Sequence, residues 1–466
     1  MTGYWLVFVD LAGCRTRTIH QIHSRHGPTV RVGPHEVSFS NQEIIKELYS
    51  YQTSFMKAPV YDDVSMRPVG IFSMRDNKER NQRRRLLSHA FSQSNLLDTE
   101  PLMKEHVNEL FAFIKPKLGQ SVDTLTTFRR LSFDIVGELF LGQSFNGLKS
   151  PETPRFLIDL DSHFILAEIK MNFPLIYHIL DLLPIAAVQH FFASTERNRQ
   201  YGKDAFENYI AQYGRNSGRR DLLTKVVVAK DDEGAPLTDL EIYTEVAHLV
   251  HAGSDTTSTT LTHLFWLLAK DPEWPSRLRA ELMTVPSRTD RVFTYKEVIG
   301  LPVLEPVINE ALRLYPAAPA SLPRETPSGG RTLNGIFILE KLTVVSMQCY
   351  TTHRHPDVFP HPEKFLPDRW LGEKAVTPEM RTMFMPFSAG SRACLGINLA
   401  WMEQKVITTS LLEAYKVQLA PSTTDESMLF LGHFLALPKS GTCDLIFTKV
   451  EPTEPTTNSG LGTQVK

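Results

Sequence analysis

Ten residues near the C-terminal end constrain this chain more than any other stretch. Phe387-Ser388-Ala389-Gly390-Ser391-Arg392-Ala393-Cys394-Leu395-Gly396 sets a solitary cysteine among two glycines, an aromatic ring and a guanidinium. The glycines let backbone pass close to a flat ligand, Phe387 packs over the loop, and Cys394 is a soft anionic donor. Arg392 can reach a carboxylate. The run Ile397 to Gln404 is helical in composition, so the sulfur precedes a helix N-terminus whose dipole favours negative charge. Most free cysteines are small buried hydrophobes, and for an isolated cysteine the two readings stand level.

The spacing Phe-x-x-Gly-x-Arg-x-Cys-x-Gly closely resembles the haem-binding loop of the cytochrome P450 family. That resemblance implies that Cys394 is the axial iron ligand, that Arg392 binds a haem propionate, and that Phe387, Gly390 and Gly396 shape the loop against the cofactor. A thiolate ligand pushes electron density onto iron and favours O–O cleavage. Monooxygenation is the implied chemistry.

Composition is consistent with an enzyme that buries a large core. The 466 residues carry a formal charge of −2 and are 42% hydrophobic, which gives no sign of a nucleic-acid partner. Cys14, Cys349, Cys394 and Cys443 are scattered without a CxxC pair, which argues against a zinc knuckle or a disulfide framework and fits a reducing compartment. Tyr4 to Val9 is apolar but stops at Asp10, far short of the roughly 20 residues that span a bilayer. It lacks the marks of a signal peptide. The expectation is an N-terminal anchor that is absent or truncated.

Arg15 to His23 reads as a short amphipathic helix, and Thr29–Pro34 with Glu36–Phe39 as a hairpin, which resembles the entry strands of fungal members of the family. Asn77 to Phe91 is a basic helix with an apolar end. A charge run of this kind is usually a solvated face. The family places such a helix at the haem edge, with a Trp or His and, four residues on, an Arg directed at a propionate; residues i and i+4 share a face. Arg80 and Arg84 occupy those positions, Arg80 replacing the ring. The apolar stretch from Phe164 to Phe192 reads equally as core packing or as a pocket roof that dips into a membrane surface.

Thr238-Asp239-Leu240-Glu241 is a capping box, opening a helix that runs to Lys270. Its middle, Ala252-Gly253-Ser254-Asp255-Thr256-Thr257, puts hydroxyl residues where a buried helix wants Leu or Ala, and Ser/Thr can back-bond to carbonyls. The segment matches the family's oxygen-activation sequence, which implies that Asp255 and Thr256 deliver protons; Gly253 is expected to leave room for oxygen. Glu310 and Arg313 share a helix face and normally would be a surface pair. In the family, Glu-x-x-Arg is completed by a downstream Arg, here Arg369. The extended segment Ala317 to Arg324 passes the haem by analogy, with Leu322 toward substrate and Arg324 as a further propionate donor. His353, His355 and His361 sit in a Pro-rich loop that presents no two ligands on one helix face, so a metal reading is poor.

The resemblance runs from about His20 to Phe447 and implies one domain over residues 1–450, with a disordered polar tail over 451–466. The implied fold is mainly helical with a small β region, haem lying between the long helix and the Cys394 loop. It implies a monomer at the cytoplasmic face of the endoplasmic reticulum membrane, in peripheral contact with it, or anchored there if the sequence lacks its N-terminus. NADPH-cytochrome P450 reductase would supply electrons, O2 the oxygen, and the substrate would be a small apolar terpenoid, polyketide, alkaloid or aromatic secondary metabolite. The rivals are a haem-thiolate isomerase or dehydratase, which has no need of Asp255 and Thr256, and a non-catalytic haem-binding protein.

Overall fold

A 32-residue helix, Asp239–Lys270, forms the axis of the structure, here a computed structural model describing residues 4–63, 68–150, 152–231, 234–286, 290–340, 343–372, 375–432 and 435–451. The expected tail lies beyond the described residues. The helix starts where the sequence places it: the Thr238 hydroxyl accepts from Glu241 N–H, and the Glu241 carboxylate accepts from Thr238 N–H in return. It packs on Thr124–Leu141 along much of its length, and also meets Ser194–Tyr213, Leu304–Leu314 and Ile397–Ala414. Their apolar faces, including Phe128, Phe133, Phe265, Leu264 and Val406, make the main core.

Several hydroxyls within this buried helix are satisfied by its own carbonyls. Thr256 donates to Ala252 O at 2.7 Å, Thr260 to Thr256 O at 2.9 Å and Thr262 to Ser258 O at 2.7 Å. Such back-bonds let polar residues enter a core without orphaned groups.

A five-stranded sheet occupies one side, in the order Thr29–Gly33, Glu36–Phe39, Val344–Ser346, Arg324–Glu325, Met56–Lys57. The expected hairpin is present, Thr29 pairing with Phe39. A smaller core lies against this sheet, with Phe39, Leu48, Phe55, Met347 and Phe359. Asp444–Lys449 pairs with both Ser121–Asp123 and Tyr415–Leu419 in a three-stranded sheet.

The apolar stretch from 164 to 192 divides in two. Arg155–Asn172 turns Leu160, Leu166 and Ala167 inward. Pro174–Leu182 and Ala186–Phe192 bury no residue, and Leu175 and Leu182 are 72% and 82% exposed. Core packing therefore explains the first part only. No helix among the described residues is long and apolar enough to cross a membrane.

Candidate active site

The Cys394 loop closes on itself through Cys394 N–H, which donates to Phe387 O at 2.8 Å. Phe387 packs toward Trp401, ring centroids 6.3 Å apart. Gly390 has φ +58°, and a Cβ there would lie 1.7 Å from the Tyr49 carbonyl oxygen. Only glycine fits, but its close approach is to protein backbone and not to a flat ligand as the sequence implied. Gly396 N–H donates to the Cys394 sulfur, and Arg84 adds a nearby positive charge. Burial outweighs both and pushes the thiol up. The helix end alone therefore does not make a thiolate; a cation bound at sulfur does.

Cys394 combines exposed surface with an enclosing shell of protein, so it faces an internal space. The other cysteines are committed elsewhere. Cys349 donates to Ala318 O at 3.1 Å; Cys443, fully buried where the three-stranded sheet begins, bonds Thr124; burial pushes both thiols up to about 12. Cys14 donates to Ala12 O and accepts from Arg17.

The arginines singled out by sequence converge. Arg80 and Arg324 are buried, and Arg84 and Arg392 half-buried. Arg84 donates to Ala393 O at 2.7 Å, and Arg392 to Arg75 O at 2.7 Å and Asn77 Oδ1 at 2.8 Å. Burial, with Arg392, Arg84 and Arg324 as neighbours, lowers the Arg80 pKa to about 9; burial and Arg324 lower Arg392 to about 10. Among the described residues none of these four has a carboxylate partner.

A fifth cation was not legible in the sequence. Strand register sets Lys57 directly opposite Arg324. Like charges opposed across a sheet are destabilising. Burial and then Arg324, Arg392 and Arg80 hold the Lys57 ammonium well below its usual range. Among the described residues these five basic side chains have no carboxylate bonded to them, and together they make a cluster suited to an anion. Haem carries two propionates and an iron that takes a soft sulfur donor, so these residues fit it. The only sequence signal for Lys57 was a lysine set in the apolar run Phe55 to Pro59.

Behind the loop, Glu310 is fully buried and gathers the framework. It accepts from Arg313 Nε at 2.9 Å, Arg369 Nε at 3.1 Å, Trp370 Nε1 at 2.8 Å and Leu366 N at 2.9 Å. Arg313 donates onward to His353 O and Pro362 O, and Met385 N donates to His353 Nε2 at 2.9 Å. His353 is thus a strut between this network and the residues that enter the Cys394 loop. It is not a metal ligand.

Above, the long helix presents one accessible face. His248, His251, Ala252 and Thr256 retain exposed surface where the surrounding turns are buried. Spacings of three, four and eight residues put them on one side. Glu403 of Ile397–Ala414 bonds Thr257, which brings this segment toward the helix that follows Cys394. Glu403 is itself buried, its carboxyl pushed up to about 8, and Oε1 lacks a partner; sequence reading saw it only as helix.

Asp255 is held by Arg129, Nε to Oδ1 at 2.7 Å and Nη2 to Oδ2 at 3.2 Å. Arg129 also binds Asp161, whose side chain is half exposed, so a charged chain leads from Asp255 to solvent. Burial opposes the guanidinium charge, but the two carboxylates raise its pKa further. Gly253 does not open space for oxygen. A Cβ there would meet Val136 Cγ1 at 2.7 Å, so its role is to let Thr124–Leu141 pack close.

Two other features lie outside the site. His106, Glu109 and Asp134 cluster like metal ligands, but Lys149 already bridges Glu109 at 2.6 Å, and Asp134 accepts from Ser144, Gly147 N and Leu148 N. A groove of about 540 Å³ runs past Leu301, Trp370 and Arg381, on the framework side.

Comparison with known proteins agrees with this arrangement. Residues 3–444 match the model of the family described as Cytochrome P450. The chain is 33% identical to cytochrome P450 monooxygenase tazI of Aspergillus terreus, over 95% of this chain and 90% of the relative. It is 31% identical to cytochrome P450 monooxygenase stcB of Emericella nidulans, over 96% and 86%, and 31% identical to cytochrome P450 monooxygenase aflV of Aspergillus parasiticus, over 95% and 88%. A family whose members bind haem through a cysteine thiolate and work with O2 and a redox partner accounts for both the enclosed sulfur and the unpaired cations: this chain belongs to the cytochrome P450 family and is a monooxygenase.

Proposed function

We propose that the chain inserts one oxygen atom from O2 into a small, largely apolar secondary metabolite of a fungus, a terpenoid, polyketide, alkaloid or aromatic compound. The observation that carries the site assignment is the nest of Arg80, Arg84, Arg324, Arg392 and Lys57 around an enclosed, accessible Cys394. Cys394 would supply the thiolate that holds the iron, and Arg80, Arg84, Arg324, Arg392 and Lys57 would hold the propionates. Haem, when bound there, supplies the activation of O2. Electrons come from NADPH-cytochrome P450 reductase, docking near the exposed side of Asn77–Ser88.

The protein's own part is to bring protons into a pocket that excludes bulk water. Thr256 Oγ1 lies on the accessible helix face; its own proton is donated to Ala252 O, so what it offers the pocket is an acceptor lone pair that can hold a proton-carrying partner in place. Asp255, Arg129 and Asp161 lead from that point toward solvent. The expected result for Thr256→Ala is retained haem, retained substrate binding and continued NADPH oxidation, with product per NADPH falling roughly tenfold or more, in line with the loss of a group that positions a proton donor. Unchanged coupling in a reductase-supported assay would remove Thr256 from the mechanism.

The apolar surface of Leu175, Ile176, Ile179, Leu182 and Ile185 supports peripheral contact with the endoplasmic reticulum membrane. Phe8 and Leu11 of Tyr4–Leu11 extend it, that helix touching Asn172 through Asp10. Replacing Leu175, Ile179 and Leu182 together by Glu is expected to move most of the protein from the membrane to the soluble fraction without changing its haem content. Unchanged sedimentation with liposomes would rule this surface out.

A further inference from the structure

Two histidines of the long helix, His248 and His263, make the same bond in different surroundings. In each, Nδ1 lies on the carbonyl one turn back, His248 on Thr244 O at 2.8 Å and His263 on Thr259 O at 2.9 Å. A carbonyl only accepts, so Nδ1 carries the proton in both, and in a neutral ring Nε2 is then a bare acceptor. Burial lowers both pKa values, the Thr259 and Thr244 carbonyls only partly offsetting it. His263 is fully buried, stacked on Tyr315 with centroids 4.7 Å apart. His248 keeps accessible surface and lies on the face that carries Ala252 and Thr256, one and two turns further along.

The wall beside His248 is built to admit it. A Cβ on Gly70 would lie 2.6 Å from His248 Nδ1, so only glycine lets this loop pass the ring. The loop is held there by Ile71 N–H, which donates to the buried Glu245 carboxylate at 2.9 Å, and Arg83 secures Glu245 from the basic helix at 2.9 Å. Next in the loop, Phe72 is 41% exposed.

We infer that His248 is a substrate-recognition residue whose Nε2 accepts a hydrogen bond from a hydroxyl group on an otherwise apolar, ring-containing substrate. The inference rests on the reading of this helix face as the wall of the substrate pocket, and it narrows the substrate class from apolar to hydroxylated. A pocket with a preset acceptor rejects a ligand lacking the hydroxyl, because the acceptor is then desolvated without a partner.

The test uses the full chain loaded with haem and two matched probe pairs, 2-naphthol with naphthalene and 9-phenanthrol with phenanthrene. Dissociation constants are read from the Soret difference spectrum. The expected result is roughly tenfold or greater preference for the hydroxylated member of a pair, abolished in His248→Leu and partly kept in His248→Gln, while binding of the hydrocarbon is unchanged or tighter in His248→Leu. Preference that survives in His248→Leu overturns the role of His248 but leaves the pocket reading intact. No spectral response to any probe overturns the pocket reading together with the inference. A resting spectrum of nitrogen-ligated low-spin haem that disappears in His248→Leu would mean that Nε2 binds iron, and would also overturn it.

Discussion

Cys394→Ser protein, reduced and exposed to carbon monoxide, will lack the strongly red-shifted Soret band of thiolate-ligated haem, while Cys349→Ser and Cys443→Ser retain it. The reason is the contrast among the sulfurs. Cys349 is tied to Ala318 O and Cys443 is sealed in the core beside Thr124, whereas Cys394 meets an internal space with Arg84 as its charged neighbour. The variant should still take up haem, because the basic cluster of Arg80, Arg84, Arg324, Arg392 and Lys57 is untouched. Activity should fall by several orders of magnitude, since the electron-donating ligand is gone. A variant that keeps the band would move the ligand elsewhere.

Glu310→Ala will lose most of its haem-loaded yield before any defect of chemistry can be measured. Glu310 is the common acceptor for Arg313, Arg369, Trp370 and the Leu366 amide, and all of these lie in or beside a dry interior. Breaking a buried ionic cluster by removing one partner costs roughly 3–5 kcal/mol, because the remaining charges stay desolvated. The damage should reach the Cys394 loop through Arg313, His353 and Met385. Thermal unfolding followed by haem absorbance checks this, and a normal melting temperature in Glu310→Ala would make the network an ornament. Glu310→Gln, which keeps acceptors but not charge, should fall between the two.

Much of the site was legible because each motif is local. A ten-residue loop holds cysteine, glycines and arginine together, and Thr238 to Glu241 signals a helix start that the hydrogen bonds reproduce. Periodicity served less well from 164 to 192. An apolar stripe tells that a face is to be covered but not by what, and the two short helices there leave theirs open. Glycine was the least readable residue. Gly253 and Gly390 both looked like space left for a ligand, and both are filled by protein, Val136 in one case and Tyr49 in the other.

By itself the sequence determined the chemistry of the centre and its order along the chain: a solitary soft donor before a helix, an acid and a hydroxyl in mid-helix, a Glu-x-x-Arg pair and arginines that could bind carboxylates. These depend on side-chain type and short spacing, which a chain carries whatever its fold. Only the tertiary structure decided which charges meet. Register across the five-stranded sheet sets Lys57 against Arg324, helix packing hands Asp255 to Arg129, and the loop at Gly70 passes close against the His248 ring. Such pairings join residues far apart in sequence, and their energies come from burial and from the presence or absence of a counter-charge. Neither quantity exists until the chain has folded.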